Sequence, residues 1–386
     1  MRVTWRTMRM ILRSSLSVAI AIGGLMAMVG VAGAEQAAIN QVRPQVDPQL
    51  AAYAPAGTVS GRMTVAGSDT MQPVLAKLAL EFRRRHPDIK IAVQGERNHG
   101  ESTQLPLTES FLDGFANSRR GDGKTSGHFG SNDIQLLASS RPFREDEIRQ
   151  FVARHGYEPT AIPIALDAMA IYVHRSNPLS SLTLEQADAI FSTTRKRGAP
   201  ADIRAWGQLG LIGEWEQAAV HLYGRDLRST GTLPFFKHVV LLDGDFKQGV
   251  RTQPGSASVV LAVTNDPSGI GYSGIGFLTS GLRILPLAER EGAPSILASR
   301  ETVTNGTYPL VRPLYLYVNR APQKALDPTI LEFLKFINSR EGQETVLQAR
   351  VFPLTATQIA TNLRRLAGEE AVESAAIHTK DHPLAN

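Results

Sequence analysis

Between Arg62 and Val93 the chain changes its hydrophobic period twice, and this alternation limits the fold more than any other feature. Arg62 to Ala66 alternates, with Met63 and Val65 on one face, as a half-buried strand requires. After Gly67-Ser68-Asp69-Thr70, apolar Val74, Leu78 and Phe82 recur at i, i+4 and i+8; Arg83, Arg84 and Arg85 fill a last turn and Pro87 stops it, the pattern of a helix. Ile89 to Val93 returns to the strand period. The result is a β-loop-α-β unit whose loop is aimed at a helix N-terminus. Strand-like and helical runs keep exchanging up to about Thr355, which predicts an α/β fold with parallel strands.

The length, 386 residues, with 42% hydrophobic and 20% charged, suffices for two domains, each with its own core. Arg2, Arg6, Arg9 and Arg13 precede an apolar run from about Leu16 to Val31 that ends in Ala32-Gly33-Ala34, a small-x-small cleavage form. The alternative is a membrane anchor, but Gly23, Gly24 and Gly30 interrupt the run, which falls short of the ~20 apolar residues a span needs. Residues 1–34 are therefore expected to be a signal peptide. It carries four of the 41 basic residues and no acid, which leaves 37 against 36, so the mature chain is near neutral and charge gives no argument for nucleic acid. There is no cysteine, hence no disulfide, no thiolate metal site and no lipidated N-terminal cysteine. The expected product is a freely diffusing exported protein.

Residues 35–58 are rich in Ala, Gln and Pro without periodicity and read as a flexible leader; from Thr355 the chain turns polar and Ala-rich, so 361–386 reads as a weakly packed tail. Two later runs, Ala165-Leu-Asp-Ala-Met-Ala-Ile-Tyr-Val and Arg312-Pro-Leu-Tyr-Leu-Tyr-Val-Asn, read as buried strands. If each carries the chain between lobes, lobe I is 59–165 plus 312–360 and lobe II is 166–311, hinged at the two crossings. The alternative is two ordinary strands of one large domain.

A buried oxyanion needs donors fixed in direction: amides at helix N-termini, Ser/Thr hydroxyls and an Arg fork. Five places offer them: Ser68, Asp69 and Thr70; Ser102 and Thr103; Ser139, Ser140 and Arg141; Arg225 with Ser229, Thr230, Gly231 and Thr232; and Gly255, Ser256 and Ser258. Each by itself is also what a helix N-cap looks like. Gly269-Ile-Gly271-Tyr-Ser-Gly274 matches the dinucleotide fingerprint in letters, but Asn265-Asp-Pro-Ser before it is a loop, so it reads as a turn leading into a strand. No Gly-x-Ser-x-Gly elbow, Walker loop or His-Glu-x-x-His is present, and the nine histidines form no metal-ligand pattern, which leaves no support for a metal or cofactor.

In Ala66-Gly-Ser-Asp-Thr-Met-Gln-Pro-Val, Asp167-Ala-Met-Ala-Ile-Tyr-Val, Asn177-Pro-Leu-Ser-Ser-Leu-Thr-Leu-Glu-Gln, Tyr223-Gly-Arg-Asp-Leu-Arg-Ser-Thr-Gly-Thr, Asn265-Asp-Pro-Ser-Gly-Ile-Gly-Tyr-Ser-Gly and Tyr308-Pro-Leu-Val-Arg-Pro-Leu-Tyr-Leu-Tyr, the chain resembles the phosphate-binding proteins of bacterial high-affinity phosphate ABC transporters, type II periplasmic binding proteins. The resemblance covers about Gly61 to Leu354. It implies a two-lobed α/β fold with a ligand cleft between lobes joined by two crossover strands, and a dehydrated phosphate held by hydrogen bonds without a metal. Position by position it implies phosphate contacts at Ser68, Asp69, Thr70, Ser102 or Thr103, Ser140, Arg141, Arg225, Thr230, Gly231, Thr232 and Ser256. It further implies a periplasmic, monomeric, non-enzymatic receptor with a membrane permease as partner.

Three departures from the family pattern stand out: an extra residue between Arg225 and Thr232, Arg141 where the best-studied branch has an aspartate, and Asp69 where that branch has a hydroxyl. A carboxylate only accepts hydrogen bonds, so it welcomes an oxyanion that still carries a proton and repels one that does not. On this reading Asp69 supplies the acceptor that discriminates phosphate from sulfate while Arg141 offsets its charge; the alternative is that Asp69 caps the following helix. The polar stretch within 112–128 reads as a surface insertion. Other functions left open are a receptor for molybdate or sulfate, a secreted phosphatase, and a binding module unconnected with transport.

Overall fold

The computed structural model describes residues 44–95, 134–226 and 232–369. The expected signal peptide, the insertion, and the candidates Ser102, Thr103, Thr230 and Gly231 lie outside the described residues. Eleven strands occur among the described residues: β1 (Gly61–Gly67), β2 (Ile89–Gly95), β3 (Leu136–Ser139), β4 (Thr160–His174), β5 (Leu182–Thr183), β6 (His221–Arg225), β7 (Arg251–Gln253), β8 (Gly269–Gly274), β9 (Leu282–Ile284), β10 (Leu287–Ala288) and β11 (Val311–Val318). The helices are α1 (Gln72–Arg85), α2 (Glu145–His155), α3 (Leu184–Phe191), α4 (Thr232–Leu241), α5 (Ser256–Thr264), α6 (Arg300–Thr304), α7 (Pro328–Ile337), α8 (Arg340–Gln348) and α9 (Ala356–Ala367). The unit read from Arg62 to Val93 is β1-α1-β2, and Gly269 to Gly274 is a strand throughout, β8. None of the described helices is long and apolar enough to cross a membrane.

The main sheet runs β2-β1-β3-β11-β4-β8-β6-β7, with β9 also paired to β4. In its first half β1, β2 and β3 are parallel and β11 is antiparallel to both β3 and β4. In its second half β6, β7 and β8 are parallel and β8 is antiparallel to β4. Strand β4 belongs to both halves: Thr160 to Ala168 pair with β11, and Met169 to Val173 pair with β8. The chain passes from one half to the other along β4 and returns through Leu310, whose carbonyl accepts from the Met169 amide at 2.9 Å, into β11. This makes a two-lobed α/β architecture.

Each lobe carries its own core. In the first, Val74, Leu78 and Phe82 of α1, Phe333 and Phe336 of α7 and Val346 of α8 cover one face of the sheet against Met63, Val65, Leu314 and Leu316. On the opposite face Phe143 stacks on Tyr317 at 3.6 Å between ring centroids, beside Phe151 of α2. In the second lobe Phe236 of α4 stacks on Tyr272 of β8 at 3.8 Å, with the Phe191 ring edge-on to both.

Two expectations about the ends need correction. From residue 44 the leader is folded onto the first lobe: Leu50 is buried and its carbonyl accepts from the Arg340 guanidinium, while the Tyr53 amide donates to Glu341 Oε2 at 2.7 Å. The Tyr53 hydroxyl donates to Glu332 Oε1 at 2.7 Å and lies 2.7 Å from His86 Nε2. His86 Nδ1 accepts from the Val59 amide, so the proton sits on Nε2 and completes the chain to the tyrosine. At the other end α9 runs to Ala367, past the expected tail boundary, with Ile359, Asn362 and Leu366 buried and the Asn362 amide donating to the Pro163 carbonyl of β4.

Tyr53→Phe strips the hydroxyl from two buried partners, and the expected loss is about 1–3 kcal/mol, measured as a lower urea midpoint. Asp47 accepts from the amides of Ala356 and Gln49, and these bonds hold its carboxyl below the ordinary value. The stability it adds is therefore present above the ordinary aspartate range and is lost as pH falls through its lowered value. Asp47→Asn is expected to lower stability at pH 7, where the carboxylate contributes in full, and little below about pH 3, so that the acid limb of the stability-pH profile measured by urea unfolding is flattened.

Candidate functional site

Ligands of open parallel sheets sit beyond the carboxyl ends of the strands, so the register shows where those ends meet. Ser139, the end of β3, is opposite Tyr315, which pairs with Pro163 of β4. In the other lobe Tyr223 pairs with Gly271; two residues further, Arg225 falls level with Ser273, which pairs with Ala170 of β4. The carboxyl ends of β3 and β6 therefore face each other along β4, seven residues or about 23 Å apart if β4 were straight. This is the cleft.

On the first-lobe side, β1 ends at Gly67 with φ of +134°, and a Cβ there would stand 2.1 Å from the Ala138 carbonyl oxygen. Only glycine lets the ends of β1 and β3 approach this closely. The approach brings Ser68 next to Ser140: the Ser68 amide donates to the Ala138 carbonyl at 2.9 Å and its buried hydroxyl to Ser140 Oγ at 3.1 Å. A 3₁₀ turn from Asp69 to Met71 follows, and the cap position of α1 falls on Met71, which offers the helix amides no acceptor. The Oγ1 of Thr70 is buried with no hydrogen-bond partner among the described residues.

On the second-lobe side, α5 begins at Ser256 behind Gly255, which likewise offers its amides no side-chain cap. One guanidinium nitrogen of Arg225 lies 3.8 Å from where a Gly255 Cβ would be, so Arg225 and the α5 N-terminus share one place. Ser256 is fixed from below, its carbonyl accepting from the buried Ser273 hydroxyl at 3.2 Å. Thr232 opens α4 from the same end of β6. Five other helices, α3, α6, α7, α8 and α9, are capped by Thr183, Ser299, Asp327, Ser339 and Thr355, while α2, behind Arg144, is not. Helices α1 and α5 thus begin without a side-chain cap from their N-cap residue, which is the arrangement an anion can complement.

Of the sequence candidates, the structure brings Ser68, Thr70 and Ser140 together on one side and Arg225 and Ser256 on the other, with Thr232 beside the latter. Arg141 is placed differently from its expected role of offsetting Asp69. Its guanidinium forks onto Glu147 of α2, at 2.6 and 2.7 Å, and donates to the Pro142 carbonyl at 2.8 Å. Burial works against the Arg141 charge, and Glu147 outweighs it and holds the guanidinium above its ordinary pKa. Glu147, buried, was not singled out by the sequence; a six-residue separation across a Pro-containing bend follows no helical or strand periodicity that would have flagged it.

A bent sheet shared by two lobes, with uncapped helix N-termini, hydroxyls and a guanidinium aimed into the cleft, defines an anion-accepting solute-binding protein. The sequence matches the family model for the PBP superfamily domain over residues 52–341. It is 42% identical over 312 residues to the phosphate-binding protein PstS of Pseudomonas aeruginosa, covering 81% of this chain and 88% of the relative. Protein SphX of Synechococcus elongatus is 25% identical over 285 residues, 73% of this chain and 74% of that one. Among solved structures, a possible phosphate binding protein from Planctomyces limnophilus superposes with TM-score 0.60 at 21% identity, over 80% of this chain and 99% of that one. An ABC-type phosphate transport receptor from Vibrio cholerae gives 0.55 at 18% identity, over 75% and 99%. The chain belongs to the PBP superfamily and, within it, to the PstS-like phosphate-binding proteins.

Gly67→Ala tests the approach of β1 to β3. A Cβ at 2.1 Å from a backbone oxygen forces the strand ends apart, and the expected cost is above about 2 kcal/mol in urea unfolding.

Proposed function

We propose that this protein is an exported receptor that captures inorganic phosphate in its interlobe cleft and hands it to the membrane permease of a phosphate ABC transporter. The observation that carries the reading is the pair of facing helix N-termini, α1 and α5, without side-chain caps and flanked by Ser68, Ser140 and Arg225. Each N-terminus presents amides and the positive end of a helix dipole, and Arg225 adds a full charge. The names of the relatives point to the same ligand. Capture of this kind makes and breaks no covalent bond, so the protein acts as a receptor and not as an enzyme.

The phosphate contacts in this reading are Ser68, Asp69, Thr70, Ser140, Arg141, Arg225, Thr232 and Ser256, with Ser102, Thr103, Thr230 and Gly231 as further contacts from outside the described residues. Arg141, forked onto Glu147, contributes through whatever donors that pair leaves. Asp69 accepts the proton that phosphate keeps near neutral pH and sulfate lacks. The basic-then-apolar N-terminus with Ala32-Gly33-Ala34 supports export to the periplasm, and the family resemblance supports a monomeric receptor. We divide the lobes at the crossings, 59–165 with 312–360 and 166–311.

Isothermal titration of the mature protein with phosphate, arsenate, sulfate and molybdate between pH 5 and 8 tests the reading. Saturable phosphate and arsenate binding with no heat from sulfate supports it; preference for sulfate or molybdate, or turnover of a chromogenic phosphate ester, overturns it. Arg225→Gln is expected to weaken phosphate about 10- to 100-fold. Asp69→Asn is expected to weaken phosphate and to admit sulfate, and an unchanged preference removes the discriminating role.

A further inference from the structure

Asp167 and Arg312 face each other at the point where the two lobes join. They are register partners on β4 and β11, the last but one pair before β4 leaves β11 for β8. By the same register Asp167 lies four residues from Pro163, level with the end of β3, and three from Ala170, level with the end of β6. The pair therefore stands on the cleft floor, midway between the two sets of anion-facing loops. The Arg312 Nε and one terminal nitrogen both donate to Asp167 Oδ2, at 3.0 and 2.8 Å, and Arg312 is 7% exposed. Two N–H bonds to one carboxylate oxygen anchor the planar guanidinium beside β4.

What that plane lies against decides its use. The Arg312 Cζ sits 4.6 Å from the ring centroid of Phe235, in the first turn of α4. Thr232, three residues earlier and on the same side of the helix, opens α4 at the cleft. A charge fixed on the returning strand thus touches the helix of the other lobe just behind one of its anion-facing residues. Phe236, the next residue, points into the lobe core against Tyr272, so Phe235 is left to face the hinge.

We infer that Arg312, oriented by Asp167, positions the N-terminus of α4 through the ring of Phe235 and so couples hinge geometry to anion capture. This rests on the phosphate reading above. Arg312 and Phe235 act through Thr232 and its neighbours; they are positioning residues. The coupling works in both directions: a rotation of α4 toward a bound anion drags the Phe235 ring across the guanidinium, and only one lobe angle keeps ring and guanidinium in register.

The absence of cysteine allows a direct measurement, because Leu80→Cys in α1 and Ile212→Cys in the other lobe, both at exposed positions, introduce the only two thiols for spin labels. Interlobe distance distributions are then recorded with and without phosphate, beside phosphate affinity and the Tm of the ligand-free protein. Phe235→Leu keeps apolar bulk and removes the ring's negative face; the expected result is phosphate affinity about 3- to 30-fold weaker, with a broadened ligand-free distance distribution. Phe235→Tyr keeps the face and restores both. Asp167→Asn, which loosens the guanidinium, shifts both readouts in the same direction as Phe235→Leu. A Phe235→Leu protein with lowered Tm but unchanged affinity and distances overturns the inference, since the ring then serves packing alone. Should the unsubstituted protein neither bind phosphate nor narrow its distances with it, the phosphate reading fails and takes this inference with it; if it does both and the variants match it, only the coupling is lost.

Discussion

The architecture depends on the hydrogen bonding of β4. A strand has two edges, and each is satisfied by one neighbour at a time, so a strand that changes partners along its length must sit where two sheets are joined. Here β11 lies beside β4 as far as Ala168, and from Met169 onward β4 is flanked by β8 on one edge and β9 on the other, both meeting Tyr172 and Val173. The change of partner puts the carboxyl ends of parallel strands from two separate α/β units opposite one another. The cleft follows from that arrangement, because the carboxyl ends of β1, β3 and β6 are directed toward it.

Two helices that begin at the cleft have no side-chain acceptor at their N-cap residue. A helix N-terminus buried without a partner is costly, and five helices elsewhere meet the cost with a Ser, Thr or Asp cap. Helices α1 and α5 carry Met71 and Gly255 at that position. On the proposed reading, an oxyanion, which accepts several bonds at once, would meet these amides together with the buried Thr70 hydroxyl.

Those parts of the molecule whose pattern is local were legible in the sequence. The β1-α1-β2 unit was, because Met63 and Val65, then Val74, Leu78 and Phe82, display period two and period 3.6 within one short stretch. The buried stretch of β4 was, because an apolar run of that length must be covered on both faces. The leader was not: Leu50 and Tyr53 show no period, and their partners Arg340, Glu341 and Glu332 lie nearly three hundred residues away. A terminal helix after Thr355 was readable as weakly packed; its burial was not, because Asn362, a polar residue between Ile359 and Leu366 on the buried stripe, bonds to Pro163 and Asn338. At the site the residue types were readable and their use was not, since Ser68, Asp69 and Thr70 read equally as a helix cap and as anion contacts, and their local pattern carries no sign of the 3₁₀ turn from Asp69 to Met71 that precedes α1.

The place of β11 between β3 and β4 also dictates an order of assembly. During synthesis β1, β2, β3 and β4 emerge early, yet β3 and β4 have no shared edge until a strand made about 140 residues later slides between them. The segment from β5 to α6 is contiguous and has its own aromatic core, so it can mature while the first lobe still waits with an open seam. The docked N-terminal strap closes last of all, onto α7 and α8, which are translated after β11. A nascent chain of this design exposes an unpaired sheet edge for most of its birth, and the guarded interval for aggregation ends only when the carboxyl-terminal helices arrive.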